Sequence, residues 1–91
     1  MKIKYFADTD TLYIEFKPAA VRDLSRMSPS VATRILGKIE AMRDNLAGDV
    51  KRLTRYTPGW RLRVGDWRVL FEVIGTVIRV WRVVHRSDAY D

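Results

Sequence analysis

Apolar and polar positions alternate strictly through the second half of the chain and recur at helical spacing in the first half. The clearest alternation runs from Trp60 to Val73, WRLRVGDWRVLFEV, broken once by Gly65-Asp66. A Gly-Asp pair between two alternating runs predicts a two-residue hairpin turn. It sets Val64 opposite Trp67, Arg63 opposite Arg68, Leu62 opposite Val69 and Arg61 opposite Leu70. Trp60, Leu62, Val64, Trp67, Val69, Phe71 and Val73 then share one face, and the arginines share the other. Gly75-Thr76 predicts a second tight turn into a strand from Val77 to Val84. That register pairs Glu72 with Arg79 and Leu70 with Trp81, and carries His85 to the end of the sheet where Arg63 and Arg68 lie.

The first half predicts two strands, Lys2 to Phe6 and Thr11 to Lys17, joined by the polar turn Asp8-Thr9-Asp10. Pro18 stops the second strand and suits the first position of a helix, with a modest apolar stripe through Ala20, Val21, Leu24 and Met27. Ser28-Pro29 repeats the signal, as N-cap and first helical residue. Val31, Ile35, Ile39, Met42 and Leu46 follow at spacings of four, four, three and four, a continuous helical face, with Gly48 as the expected C-cap. The short connection between the two helices predicts an antiparallel helical hairpin. Asp49 to Gly59 reads as an irregular basic connection. The fold class expected is therefore α+β, an antiparallel β-sheet packed against an N-terminal antiparallel helical hairpin, in the order β-β-α-α-β-β-β.

At 91 residues, 47% of them hydrophobic, the chain forms one domain over residues 1–91, with a core small enough that a bare sheet would be marginal without its helices. The absence of cysteine excludes disulfides and thiolate metal sites. No run reaches the length of a membrane span and the opening MKIKYFADTD lacks the apolar segment of a secretory signal, so a cytoplasmic protein without membrane contact is expected. Seventeen Lys and Arg against eleven Asp and Glu give a formal charge of +6, which favours polyanionic or acidic partners through salt-sensitive attraction.

Charge placement sharpens this. Arg63 directly faces Arg68 and Arg61 lies diagonally beside them, an arrangement that costs stability unless an anion visits. The planar guanidinium fork suits phosphate, so an RNA or DNA backbone is the first ligand to consider. Lys51, Arg52, Arg55 and Arg86 add candidate phosphate contacts. His85 is the sole histidine, the residue type that exchanges a proton near neutral pH, and Tyr90 offers a ring that can stack on a base. No metal-ligand spacing, glycine-rich phosphate loop or nucleophile triad is present, and no cofactor is implied. Arginines, one histidine and one tyrosine can still cleave RNA: a base takes the ribose 2′-hydroxyl proton, arginines hold the transition-state charge, and an acid protonates the departing 5′-oxygen.

The segments FKPAAVRDLSRM, VKRLTRYTPGWRLRVGDWRVLFEV and VVHRSDAY together resemble the RelE/ParE superfamily of small toxins from type II toxin-antitoxin pairs. The resemblance implies a RelE-like fold and a metal-independent endoribonuclease that cuts messenger RNA in the ribosomal A site, an mRNA interferase that blocks translation. It implies as partners a cognate acidic antitoxin, the ribosome and mRNA. By position, Arg61 and Arg63 match two basic residues before the tight turn and Arg68 the arginine expected on the scissile phosphate. His85, Arg86 and Tyr90 match the C-terminal HRxxxY segment of the RelE branch, making Arg61, Arg63, Arg68, His85 and Tyr90 the expected catalytic set. Arginine in place of lysine at 61 and 63 makes a poor general base, which moves that role towards His85. Relatives commonly begin at the strand that here opens at Leu12, so residues 1–10 add a strand and turn.

The same fold serves a second activity, a ParE-like poison of DNA gyrase without nuclease activity. A third reading is an inactive antitoxin-binding relative, disarmed by the N-terminal addition.

Overall fold

A computed structural model describes residues 11–89. The order is β1 (Tyr13–Phe16), α1 (Pro18–Ser25), α2 (Pro29–Ala41), β2 (Val50–Arg52), β3 (Trp60–Val64), β4 (Trp67–Ile74) and β5 (Val77–His85), closed by a 3₁₀ turn over Arg86–Asp88. The expected strand Lys2 to Phe6 and its turn lie outside the described residues. Both helices start on proline, which has no amide to leave unpaired there. Ser28 stands at the N-cap position of α2 without a side-chain hydrogen bond. That helix stops at Ala41, ahead of the expected Gly48: the amides of Met42, Arg43 and Asp44 bond three residues back instead of four, and Asn45 and Leu46 then take left-handed backbone conformations.

The five strands form one sheet in the order β1-β5-β4-β3-β2. The hairpin β3–β4 has the expected register, from Trp60 opposite Phe71 to Val64 opposite Trp67. Three departures from the sequence reading matter. β1 runs parallel to β5, so the sheet is mixed rather than wholly antiparallel. A parallel pair needs a long connection, here both helices and three strands, and no local turn signals its direction. Second, part of the basic connection after α2 is itself a strand, with Lys51 opposite Arg61 and Val50 opposite Leu62.

Third, β5 bulges at Trp81. Phe71 faces Val80 while Leu70 faces Arg82, so Trp81 is the extra residue and the expected Leu70–Trp81 pair is replaced. The cause is legible in burial: strict alternation from Ile78 and Val80 would drive Arg82 into the core. The bulge turns both Trp81 and Arg82 outward and returns Val83 to the interior, where it is buried.

One face of the sheet packs on the helices through Leu62, Val64, Val69, Phe71, Ile78, Val80 and Val83, met by Ala20, Ile35, Ile39 and Met42. At about 1.5–3 kcal/mol for each large apolar side chain taken from water, this layer supplies the main drive to fold. Among the described residues no helix covers the opposite face.

Candidate nucleic-acid interface

The open face divides electrostatically into two halves. On the β1 side the charges are matched: Arg79 donates to the Glu15 carboxylate at 2.6 Å and lies 3.5 Å from that of Glu72. The Trp81 indole N–H donates to Glu72 at 2.7 Å, and the Lys17 ammonium sits 4.9 Å from the Trp81 ring centroid. Hydrogen bonding to Glu15, ahead of the other influences, raises the Arg79 pKa above its ordinary value.

The β2–β4 half is unbalanced. Lys51 flanks Arg61, and Arg63 faces Arg68 directly. Arg61 is largely buried, 14% exposed, and its Nη1 donates to the Asp49 carbonyl at 2.8 Å and carboxylate at 3.1 Å. Its Nε is buried without a partner among the described residues. Arg61 is therefore fixed in place, and Asp49 spends its charge on it. Arg68 Nη1 donates to the carbonyls of Gly65 and Trp67, both at 3.0 Å, which bends the side chain back along the turn. The Arg63 side chain is exposed and makes no hydrogen bond or ion pair among the described residues, while its amide donates to the Asp49 carbonyl at 2.9 Å. Two guanidinium groups thus stand together without a carboxylate, an arrangement that binds a phosphate dianion or diester in a bidentate fashion.

The other expected residues do not all join this cluster. Arg52 points to the helix-covered face, its guanidinium 5.3 Å from the Trp60 ring. Arg55 is exposed in the loop after β2. The bulge moves His85 across the sheet: it pairs with Trp67 and meets that ring edge-on at 5.5 Å, on the side opposite Arg68, whose own partner is Val84. His85 Nδ1 accepts from the Ser87 amide at 3.3 Å and lies 3.0 Å from the Ser87 hydroxyl, capping the 3₁₀ turn. In that tautomer the ring proton is on Nε2. Arg86 opens the turn, its amide donating to the Asp66 carbonyl at 2.7 Å. Tyr90 lies outside the described residues. Among the described residues no group of three His, Cys, Asp or Glu side chains is placed to hold a metal ion, and no helix is long and apolar enough to cross a membrane.

Sequence reading missed two acidic residues that organise the site. Asp49 orients Arg61 from the loop before β2. Asp23, on α1, accepts from Arg82 at 2.7 and 3.0 Å and from the Val83 amide at 2.9 Å, sealing the edge of β5 where β1 has ended. Burial pushes the Asp23 carboxyl up, but the hydrogen bonds from Arg82 and Val83 and the charges of Arg82 and Arg26 outweigh it and hold the pKa below the ordinary value. Both contacts are long-range, and an isolated aspartate in a polar stretch carries no periodic signal. Beside Asp23, a groove of about 460 Å³ runs between α1 and the end of β5, with Arg26, Met27, Trp67 and His85 on its walls.

The family described as ParE toxin of the type II toxin-antitoxin system parDE matches residues 14–90. Toxin RelE3 of Methanocaldococcus jannaschii is 33% identical over 81 residues, covering 84% of this chain and 92% of the relative. Among solved structures, the RelB-RelE antitoxin-toxin complex from Methanococcus jannaschii aligns with a TM-score of 0.67 at 32% identity, over 80% of this chain and 91% of that one. The toxin-antitoxin complex RelBE2 of Mycobacterium tuberculosis shares the fold, with a TM-score of 0.71 at 22% identity over 84% of this chain and 99% of that one.

Proposed function

The chain belongs to the ParE toxin family and is a RelE-type toxin of a type II toxin-antitoxin system, and from that premise we propose that it cleaves messenger RNA on the ribosome and is silenced by an acidic antitoxin. The observation that carries the reading is the Arg63–Arg68 pair, two guanidinium groups in register on an open face and without a carboxylate. Only an anionic ligand relieves that repulsion, and a diester phosphate offers the matching planar acceptors. RNA is the substrate that needs no further reagent. The ribose 2′-hydroxyl gives its proton to a base as its oxygen attacks the adjacent phosphorus, the bond to the 5′-oxygen breaks, that oxygen takes up a proton to leave as a hydroxyl, and a 2′,3′-cyclic phosphate remains. Arg63 and Arg68 hold the negative charge that builds on the phosphoryl oxygens, and Arg61, clamped by Asp49, keeps the strand and its charge in place.

His85 has a narrower role than its alternation implied. His85 lies across the sheet from Arg63 and Arg68, at the end of β5, so it serves only a nucleotide that wraps round that end; with Nδ1 accepting from the Ser87 amide, the proton it can give is on Nε2. To act as base on the 2′-hydroxyl the ring must swap tautomer, with Nδ1–H donating to Ser87 Oγ. Arg86 and Tyr90, carried by the same C-terminal segment, position the nucleotide.

The test is mapping of 5′ ends on translated message in a cell-free reaction. Wild type yields new ends only on translated RNA. Arg68→Ala is expected to lower the cleavage rate by about 10²-fold or more, in line with removal of one oxyanion donor. His85→Asn keeps a side-chain oxygen able to cap Ser87. Loss of cleavage in that variant assigns chemistry to the ring; wild-type cleavage makes His85 a cap only. The match to the ParE description supports a second reading, gyrase binding without cleavage. Inhibited supercoiling with intact message would select it and reject the first.

A further inference from the structure

Arg34 reaches the tip of the β3–β4 hairpin from α2. A Cβ built on Gly65 would lie 3.2 Å from Arg34 Nη2, 3.3 Å from Nη1 and 3.5 Å from Cζ. The two terminal nitrogens are nearer than Cζ, so the guanidinium approaches the turn with its Nη1–Nη2 end. The Arg34 side chain is exposed and makes no hydrogen bond or ion pair among the described residues. Its donors are therefore open to a ligand at the tip of the hairpin.

Around the same turn gather Arg68, anchored on the Gly65 carbonyl from the other side, Arg63 one residue before the turn begins, and Arg86, 3.8 Å from the exposed Asp66 carboxylate. The tip lies about 6–7 Å beyond the Arg63–Arg68 pair at strand rise, of the order of one phosphate step along an extended single strand. Resting on the RNA reading above, we propose that this turn is a second phosphate site: Arg34, seated on Gly65, binds the RNA phosphate next to the one held by Arg63 and Arg68. RNA fits the tip better than an acidic protein does. The tip is convex, and both Gly65 and Asp66 are exposed. A protein partner would look there for an apolar anchor, whereas a nucleic-acid backbone needs only charge and donors.

Gly65 is then required twice, for its φ of +59° and for the seat it gives Arg34. Full-length wild type, Arg34→Ala, Arg34→Lys and Gly65→Ala are titrated with a short fluorescein-labelled single-stranded RNA over a range of salt, alongside the ribosomal cleavage reaction. Arg34→Ala is expected to melt with wild type, bind about five- to tenfold more weakly, and lose about 0.7 from the slope of log K against log salt. Arg34→Lys keeps the slope but recovers only part of the affinity, and Gly65→Ala shifts in the direction of Arg34→Ala. Unchanged affinity and slope in Arg34→Ala overturn the proposal. So does a variant that loses affinity for polyglutamate while binding RNA as wild type does, which would hand the ridge to an acidic protein. If wild type binds RNA with these differences yet cuts no message, the second site stands and the nuclease reading falls.

Discussion

Removing the Asp23 carboxylate is the most informative perturbation of the scaffold, because one side chain closes two gaps at once. It accepts hydrogen bonds from Nε and Nη2 of Arg82 and from the amide of Val83, next to the bulge and just past the end of β1. The amide bond to a charged acceptor is worth about 1.5 kcal/mol and leaves an edge donor with poorer partners when lost. Arg82 is half exposed, so its ion pair adds no more than about 1 kcal/mol. Asp23→Ala is therefore expected to cost about 2–3 kcal/mol, and Asp23→Asn, which keeps one acceptor oxygen, about 1 kcal/mol. For a domain of this size the alanine variant should melt about 10–20 °C lower. Urea denaturation against pH separates the charge from the shape. The folded carboxyl has a lowered pKa, so its stabilisation is complete above the ordinary aspartate value of about 3.9 and fades as pH falls through the folded value. The gap between wild type and Asp23→Asn should stay constant from neutral pH down to about pH 5 and shrink only in stronger acid. A loss below about 1 kcal/mol for Asp23→Ala, or a gap already narrowing above pH 5, would refute this account.

Arg61→Ala should destabilise by about 2 kcal/mol, since it removes a largely buried side chain and two hydrogen bonds to Asp49, whereas exposed Arg63→Ala should change stability by less than about 0.5 kcal/mol; paired urea melts decide. Ile39→Ala, at a fully buried position facing the sheet, should cost about 3–4 kcal/mol by the same measurement. Gly75→Ala should cost only about 1 kcal/mol: its φ is +59°, but no atom lies within 4 Å of an added Cβ, and Gly75→Asn should recover part of that loss in thermal melts.

Wherever pairing is local, the sequence determined the structure. The β3–β4 hairpin follows from Gly65-Asp66 between two alternating runs. The buried stripe Ile35, Ile39, Met42 follows from helical spacing, and both helix starts follow from proline. The face that carries Arg61, Arg63 and Arg68 was equally legible, because strand side chains alternate with period two. Resemblance in the same residues identified the toxin family.

Contacts far apart along the chain were decided by the tertiary structure alone. Nothing local sets the direction of β1 against β5, since two helices and three strands intervene. Nor does a strand's own pattern reveal a bulge whose cause is the core's refusal of Arg82, and that one extra residue is what moves His85 from the arginine face to the ring of Trp67. Asp23 on Val83, Asp49 on Arg61 and Arg34 on Gly65 belong to the same class. Periodicity reports which face a residue occupies, because that depends on backbone geometry. Which partner waits on that face depends on how separate elements pack, and only the folded chain brings those partners together.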